Sequence, residues 1–279
     1  MVCSGDGQPN SGRGLREEHR MVRKGVHFHE TNRRSWNAVS PGWQSMVDRA
    51  GVWKRCHRKP SLVLNLVEMR LLGKLRGKRV CVLGSGDNKV VFALSGMGAK
   101  VTSVDISEVQ LAIAGWRAEE LGLDIRFVRS DVTHLPKSLP GQPFDLVYTG
   151  GHVAVWVANL RKYYSEAARV LRPGGRLIVS EYHPFRRLWW NDERNKRVME
   201  RSYFDRRPQH YDRSEEVEGA RRGSYPSVEF MWTVGDMVNA MMDAPIALDH
   251  FTECGEEVED WEPPVKGLPG LLILSGRKR

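Results

Sequence analysis

The sequence predicts an α/β fold in which helices cover both faces of a mostly parallel sheet. Short runs of apolar and β-branched residues recur from residue 79 onward. They alternate with stretches of about a dozen residues whose apolar side chains follow helical spacing. Alternation of this kind is typical of βαβ units, which build parallel sheets.

Seven strands are expected from these runs. The first ends directly before a glycine pair and the second ends on an aspartate. The last two follow a predicted helix at Thr233–Ala244. In chain order the predicted strands are Arg79–Leu83, Lys100–Asp105, Ile125–Val128, Phe144–Tyr148, Leu177–Ser180, Ile246–Phe251 and Leu271–Ser275.

Local signals mark the ends of two helices between the strands. Ser107 and Gln110 have capping-box spacing and open a helix that runs to Leu121, where Gly122 is the stop signal. A second helix ends at the Arg-Pro-Gly-Gly turn of residues 172–175. One face of this helix carries Leu160, Tyr163, Tyr164, Ala167 and Leu171.

Three segments surround or interrupt this alternation. Residues 1–25 are predicted to be a disordered tail, because they carry too little apolar surface to offset their ordering entropy. Residues 26–78 are predicted to be an N-terminal helical cap on the main domain, 79–279. An insertion at 186–230 mixes aromatic residues with arginines and acids. It suits either a lid over an amphipathic or aromatic acceptor or a solvated excursion that its aromatic residues pin to the core.

Composition and charge limit the functions that the chain can have. No apolar run approaches the ~18 residues that cross a bilayer, and the N-terminus lacks the apolar stretch of a secretory signal. The four cysteines are far apart, so we expect a reduced, cytoplasmic protein without a metal site or a membrane partner. The net charge of +9 permits a nucleic-acid partner, but the basic residues lie between apolar helical positions, which favours a solvated face.

A candidate nucleotide site follows the first two strands. Gly84, Ser85 and Gly86 come directly after the first strand, where glycines let the backbone approach a ligand closely. Asp105 ends the second strand, and an acid there can accept hydrogen bonds from both ribose hydroxyls. Nicotinamide-dependent dehydrogenases share both features, but their fingerprint requires Gly or Ala where this chain has Lys89.

From about residue 79 to residue 275 the chain resembles the class I S-adenosylmethionine-dependent methyltransferases. Besides the glycine loop and Asp105, the resemblance rests on Asp131 after the third strand and on the Arg-Pro-Gly-Gly turn before the fifth. It implies a Rossmann-like, seven-stranded sheet with helices on both faces and an antiparallel last strand. It also implies S-adenosyl-L-methionine as the cofactor.

The resemblance assigns a part of the cofactor to each motif. It implies that Gly84–Gly86 contact the methionine part and that Asp105 holds the ribose. Ile106 would pack on adenine, whose amino group would face Asp131. The other contacts that it implies are a backbone group of Val132 and, beside the sulfonium, Thr149, Gly150 and Gly151.

Two positions depart from the family's pattern. Val82 stands where an acid often precedes the glycine loop, and Asn88 stands where a third glycine is common. A protein that binds the cofactor without catalysis is therefore one alternative. The end of the fourth strand also lacks the proline turn of enzymes that methylate planar nitrogens. This leaves O-, aliphatic N- and C-methylation open.

The acceptor is expected at the carboxyl ends of the fourth and fifth strands, where open α/β sheets bind ligands. Polar candidates there are His152, Glu181, Tyr182 and His183. A general base is needed only if the acceptor loses a proton. His183 is the first choice and His152 the second, because the ordinary pKa of histidine is about 6.5 and those of glutamate and tyrosine are far from neutral.

The leading hypothesis is an enzyme that methylates a small molecule. An RNA or protein methyltransferase is a second hypothesis, which the net charge of +9 motivates and which requires basic residues around the cofactor mouth. The sequence predicts no oligomeric state. It also leaves open whether Met1 or Met21 is the start.

Overall fold

Most of the chain lies in defined elements. The computed structural model describes residues 11–48, 50–86, 89–139, 141–191, 197–199, 201–214, 223–255 and 267–279. Asn88, one of the two departures from the family's pattern, lies outside these residues, as does the first part of the predicted tail, residues 1–10.

The N-terminal segment is helical earlier than predicted. Helix α1 (Ser11–Val47) includes residues 11–25, which the sequence assigned to a disordered tail. Adding residues to an existing helix avoids the cost of nucleation, and this stretch contains Arg, Glu, Lys and Met, which are good helix formers. Helix α2 (Leu66–Leu72) follows, with a capping box formed by Asn65 and Glu68.

The α/β part begins at residue 79, and each of the predicted strands is present. Ser107 and Thr233 are the N-caps of the helices that follow them. In chain order the elements are β1 (Arg79–Leu83), α3 (Lys89–Gly96), β2 (Lys100–Asp105), α4 (Glu108–Glu120), β3 (Ile125–Arg129), β4 (Phe144–Gly150), α5 (Leu160–Val170), β5 (Leu171–Tyr182), β6 (Trp189–Asn191), β7 (Arg197–Met199), β8 (Gln209–Asp212), β9 (Pro226–Glu229), α6 (Val234–Asp243), β10 (Ile246–Cys254) and β11 (Leu271–Lys278).

Seven strands form one sheet in the order β10-β11-β5-β4-β1-β2-β3. Strand β11 is antiparallel to both neighbours, and the remaining pairs are parallel. The predicted sheet, with its antiparallel last strand, is confirmed. Strand β5 begins earlier than the predicted Leu177, because residues 172–175 bulge out between the pairs Phe144–Leu171 and Leu146–Arg176.

Helices cover both faces of the sheet, as predicted. Cys81 and Leu83 of β1 pack into the core under α5 and α6, whereas Val80 and Val82 pack into the core under α2 and α3. This alternation follows from the two-residue period of a strand. Val82 is 3% exposed, so the position that often carries an acid in the family is part of an apolar core here.

The insertion contains two small antiparallel ladders, β6 with β7 and β8 with β9. Strand β9 packs on α1, where the Asn32 side chain both donates to and accepts from the backbone of Val228, at 2.8 Å each. The N-terminal cap and the insertion are therefore in direct contact. Residues 192–196, 200 and 215–222 of the insertion lie outside the described residues.

The strand order creates a crevice between β1 and β4. From β1 the chain runs outward through β2 and β3, then returns to β4 on the other side of β1. Open α/β sheets bind ligands at such a switch point, outside the carboxyl ends of the strands. The glycine loop, Asp105 and Asp131 all follow strand ends at this edge.

Candidate functional site

The glycine loop makes a tight turn after β1. Gly84 and Gly86 both have positive φ angles, 63° and 47°, which favour glycine. The amides of Gly84 and Ser85 donate to the carbonyl of Val104 at 2.9 and 3.2 Å, which fixes the turn against β2. A Cβ on Gly84 would overlap with the side chain of Val153, so glycine is required for close packing as well as for the turn.

Asp105 is buried at the end of β2 and is tied to the same loop. Its Oδ2 accepts from the amide of Gly86 at 3.0 Å, and its Oδ1 accepts from the amide of Ser107 at 2.8 Å. Burial raises the pKa of Asp105, while the amides of Ser107, Gly86 and Ile106 act in the opposite direction. A carboxylate has about four lone-pair sites, so Asp105 retains acceptor capacity for a ligand hydroxyl beside these amides.

Asp131 follows β3 and is held by groups from two directions. Its Oδ1 accepts from the amide and the hydroxyl of Thr133, at 2.8 and 2.7 Å. Its Oδ2 lies 2.6 Å from Nδ1 of His29, a residue of α1. Burial alone would raise the pKa of Asp131, but the bonds from His29 and Thr133 outweigh it and lower the pKa to about 2. Sequence reasoning missed His29, since no motif links residues 102 positions apart.

The other residues that the resemblance assigned to the cofactor differ in what they can offer. Ile106 is half-buried beside Asp105, and Val132 is buried in the core, so its backbone is the part available to a ligand. Thr149 is fully buried and its hydroxyl bonds to that of Tyr163, so its side chain points away from the crevice. Gly150 lies so close to the carbonyl of Ser180 that a Cβ would overlap with it.

A cleft lies at the carboxyl end of β5, between the loop after β4 and the end of the insertion. It holds about 330 Å³ of space, part of it open to solvent. Its wall combines aromatic and apolar side chains with a few polar groups, as ligand sites usually do. The lining residues are His152, Ala154, Val155, Glu181, Tyr182, Pro184, Arg187, Phe230, Met231, Trp232 and Met237.

His152 lines this cleft but does not present a free lone pair. Nη1 of Arg187 donates to its Nε2 at 2.8 Å. Burial, followed by the charges of Arg187, Arg186 and Arg213, holds the pKa of His152 well below its usual range. The residue also has a φ of 81°, which is uncommon outside glycine and indicates a constrained backbone. The geometry therefore does not support His152 as a general base.

His183 is fully buried behind the end of β5 and is not among the residues that line the cleft. Its Nδ1 accepts from the amide of Phe185 at 3.3 Å, and its Nε2 lies 2.9 Å from Oε1 of Glu253 in β10. Burial lowers the pKa of His183 and Glu253 opposes this effect. Both ring nitrogens thus serve the fold, and the base role predicted for His183 does not fit this geometry.

The ordinary pKa of glutamate is far from neutral and disfavours Glu181 as a general base. In the structure, however, Glu181 has an environment that suits a base. It lines the cleft, is 3% exposed, and its Oε1 accepts from the amide of Ala154 at 3.1 Å. Burial raises its pKa to about 8, against the effect of the Ala154, Val153 and His152 amides. The sequence placed Glu181 beside the cleft but carried no sign of this burial.

Two further observations concern the part of the chain that the structure describes. Within it, no group of three or more His, Cys, Asp or Glu side chains is placed to hold a metal ion. None of the helices in that part has the length and apolarity needed to cross a bilayer.

A family model described as a methyltransferase domain matches residues 82–179. This range begins within β1 and ends within β5, so it covers the glycine loop, Asp105, Asp131 and His152. The match therefore includes the crevice at the switch point and the first part of the cleft.

Curated relatives are similar over part of their length. A demethylmenaquinone methyltransferase of Thermus thermophilus is 34% identical over 132 residues, which are 47% of this chain and 54% of that protein. A ubiquinone biosynthesis O-methyltransferase of Proteus mirabilis is 26% identical over 165 residues, which are 59% of this chain and 64% of that protein. The chain thus spans less than two thirds of either relative.

A solved structure extends the similarity in fold. The S-adenosylmethionine-dependent methyltransferase from Mesorhizobium loti superposes with a TM-score of 0.54 at 24% identity, covering 75% of this chain and 94% of that chain. The strand order, the positions of the motifs and the family match agree with one another. Residues 82–179 therefore match a methyltransferase domain, and the α/β part of the chain has the Rossmann-like fold of class I S-adenosylmethionine-dependent methyltransferases.

Proposed function

We propose that this chain is an S-adenosyl-L-methionine-dependent methyltransferase that acts on a small molecule. One observation carries the proposal: the left-handed glycines, Asp105 and Asp131 meet at one edge of the sheet, beside a separate cleft at the end of β5. A donor site beside an acceptor site is the arrangement that methyl transfer requires, because the protein must align two reactants.

The residues at this edge fit the cofactor. Gly84 and Gly86 offer a turn without side chains for the methionine part, Asp105 has acceptor capacity for a ribose hydroxyl, and Asp131 for the adenine amino group. When bound, the cofactor supplies an already activated methyl group. The work left to the protein is to orient the acceptor and to exclude water.

The cleft supports a small acceptor with an aromatic part. Tyr182, Phe230 and Trp232 offer flat apolar surfaces on the wall of the cleft, which suit an aromatic ring. By their names, the relatives methylate demethylmenaquinone or serve ubiquinone biosynthesis. Phenolic and quinone-related acceptors are therefore the first class to test.

Glu181 replaces the two histidines as our proposed proton acceptor. It lines the cleft, and its pKa of about 8 suits an acceptor that loses a proton near neutral pH. The amide of Ala154 donates to its carboxylate and stabilises the ionised form. The proton passes to the Glu181 carboxylate and leaves through the open side of the cleft.

The insertion serves as the lid in this proposal. Its end is bonded to the loop after β4: the amide of Phe230 donates to the carbonyl of Val155 at 2.8 Å. Two residues beyond the insertion, the Trp232 indole donates to the carbonyls of Ala154 and Val157, at 3.0 and 3.1 Å. These bonds support a segment that closes one side of the cleft and covers a bound acceptor.

Calorimetry tests the donor half of the proposal. We expect binding of S-adenosylmethionine and of its demethylated product, S-adenosylhomocysteine, and none of NAD. Binding of NAD without either of the other two contradicts the proposal.

An activity panel tests the acceptor half, with release of S-adenosylhomocysteine as the readout. Phenols, quinone precursors, aliphatic amines, RNA and protein are offered in parallel. Turnover with RNA or protein alone supports the second hypothesis. Cofactor binding without turnover of any acceptor supports a non-catalytic binding protein.

A cytoplasmic location is also part of the proposal. The wide spacing of the four cysteines along the sequence supports a reducing compartment. Cys3 lies outside the described residues.

A further inference from the structure

His29 enters the crevice from outside the α/β part. It is 6% exposed, and its Nδ1 is 2.6 Å from Oδ2 of Asp131. The amide of Ala158 donates to its Nε2 at 2.9 Å. Because Nε2 accepts this bond, the neutral ring carries its proton on Nδ1 and donates it to Asp131.

This bond determines how Asp131 is presented to a ligand. Thr133 holds Oδ1 and His29 holds Oδ2, so neither oxygen can turn away from the crevice. The same bonds keep the carboxylate ionised despite its burial. A fixed, ionised carboxylate accepts a hydrogen bond from an amino group and repels an oxo group in the same place, which is how polar sites discriminate between close analogues.

One face of α1 contacts Asp131 directly and contacts the residue that bonds to Asp105. His29, Arg33 and Asn37 are spaced by four residues and share that face. In the same order they contact Asp131, Glu108 and Ser107. The amide of Ser107 in turn donates to Asp105. The position of His29 is therefore set by a series of contacts along the helix and not by one bond.

We propose that His29 is a positioning residue for cofactor selection. It holds Asp131 so that the site takes a nucleoside with an amino group at position 6 of the purine and rejects the 6-oxo counterpart. The inference rests on the proposed function, because it takes Asp131 as the contact of the adenine ring.

Two substitutions separate the two hydrogen bonds of His29. In His29→Asn, the side-chain amide takes the place of Nδ1 and still donates to Asp131, but the bond with Ala158 is lost. In His29→Gln, the side-chain carbonyl takes the place of Nε2 and accepts from Ala158, but the donor to Asp131 is lost. His27→Ala, at an exposed position of the same helix, is the matched control.

Calorimetry then gives the Kd of S-adenosylhomocysteine and of its 6-oxo analogue, S-inosylhomocysteine, for each variant. We expect the wild type to prefer the amino form. His29→Gln should lose about tenfold in affinity for that form, together with most of the preference. His29→Asn and His27→Ala should retain both. Thermal unfolding without ligand shows whether each variant is folded.

Each other outcome has a defined meaning. An unchanged His29→Gln overturns the proposal, as does weaker binding of both ligands with the preference intact, because His29 then only docks α1. Loss of the preference in His29→Asn alone assigns it to the Ala158 bond and also overturns the proposal. Loss of the preference in both variants supports the proposal, because His29 then acts through both hydrogen bonds.

The wild type separates this inference from the proposed function. A wild type that binds both ligands equally overturns the role of His29 only. A wild type that binds neither contradicts the proposed function itself.

Discussion

The two halves of the candidate site are built in different ways. In the cofactor half, which comprises Gly84, Gly86, Asp105 and Asp131, each group follows directly on a strand end. Backbone turns and carboxylates at those ends are encoded locally. In the acceptor half, which comprises the residues of the cleft, the chemistry depends on distant segments. The side chain of Arg187, for example, occupies the lone pair of His152 from 35 positions away.

This difference explains which predictions about the site fit the structure. A motif at a strand end keeps its geometry in any chain that forms the sheet. The protonation behaviour of a side chain depends on burial and partners, which the neighbouring sequence does not reveal. The ordinary pKa of histidine favours His183 as the base, whereas burial raises the pKa of Glu181 to about 8. The predictions below test each half, in order of decreasing effect.

Glu181→Gln tests the acceptor half and should have the largest effect. For an acceptor that loses a proton, kcat should fall roughly 10²- to 10⁴-fold, since the amide cannot take the proton. The amide oxygen still accepts from Ala154, so the Kd of S-adenosylhomocysteine should hardly change. His183→Asn, the control, should keep most of the activity. Loss of activity in His183→Asn but not in Glu181→Gln would favour the base chosen from the sequence.

The pH dependence of Glu181 gives an independent readout. A general base must be ionised, so the wild-type rate should rise as the pH rises through about 8, and this limb should vanish in Glu181→Gln. Stability should move in the opposite direction. A carboxyl whose pKa is raised in the folded state stabilises the fold while protonated, so this contribution is lost as the pH rises through about 8.

Asp105→Ala tests the cofactor half. It removes charge-assisted hydrogen bonds to the ribose, so binding of S-adenosylhomocysteine should weaken by about 2 to 4 kcal/mol, or roughly 30- to 1,000-fold. Asp124→Ala, an exposed acid just before β3, is the calorimetric control. Equal affinities for the two variants would show that Asp105 does not hold the ribose.

Gly84→Ala tests whether the turn after β1 needs glycine for space or only for its φ angle. The alanine would adopt a left-handed conformation and overlap with Val153, which together should cost about 1 to 3 kcal/mol of unfolding free energy. Gly122→Ala is the matched control, because its φ of 64° is similar but its Cβ would meet no atom within 4 Å. Denaturant unfolding of both variants measures the difference. If both lose the same stability, the contact with Val153 contributes nothing.

Deletion of residues 1–20 should have the smallest effect. Residues 1–20 carry too little apolar surface to contribute to a core, so melting temperature and cofactor affinity should stay near those of the full chain. Deletion of residues 1–40 removes His29, Asn32 and Asn37, and it should abolish cofactor binding. A drop of several degrees in the first deletion would show that the start of α1 also docks on the domain.

The sequence by itself determined the sheet and the cofactor half. Apolar runs predict β1, β2 and the other strands of the sheet, because periodicity and turn residues are local signals. Gly84 and Asp105 were found for the same reason. The start of α1 was missed, since composition understates how far a docked helix can extend.

Only the tertiary structure decided which acid or base faces the cleft and which helix reaches the crevice. Glu253 engages His183 from 70 positions away, and His29 reaches Asp131 across 102 positions. Such partners meet through packing of the whole chain, and their effects on hydrogen bonding and pKa act over a few ångströms in space. The separation of two residues along the sequence does not show that they lie close together in space.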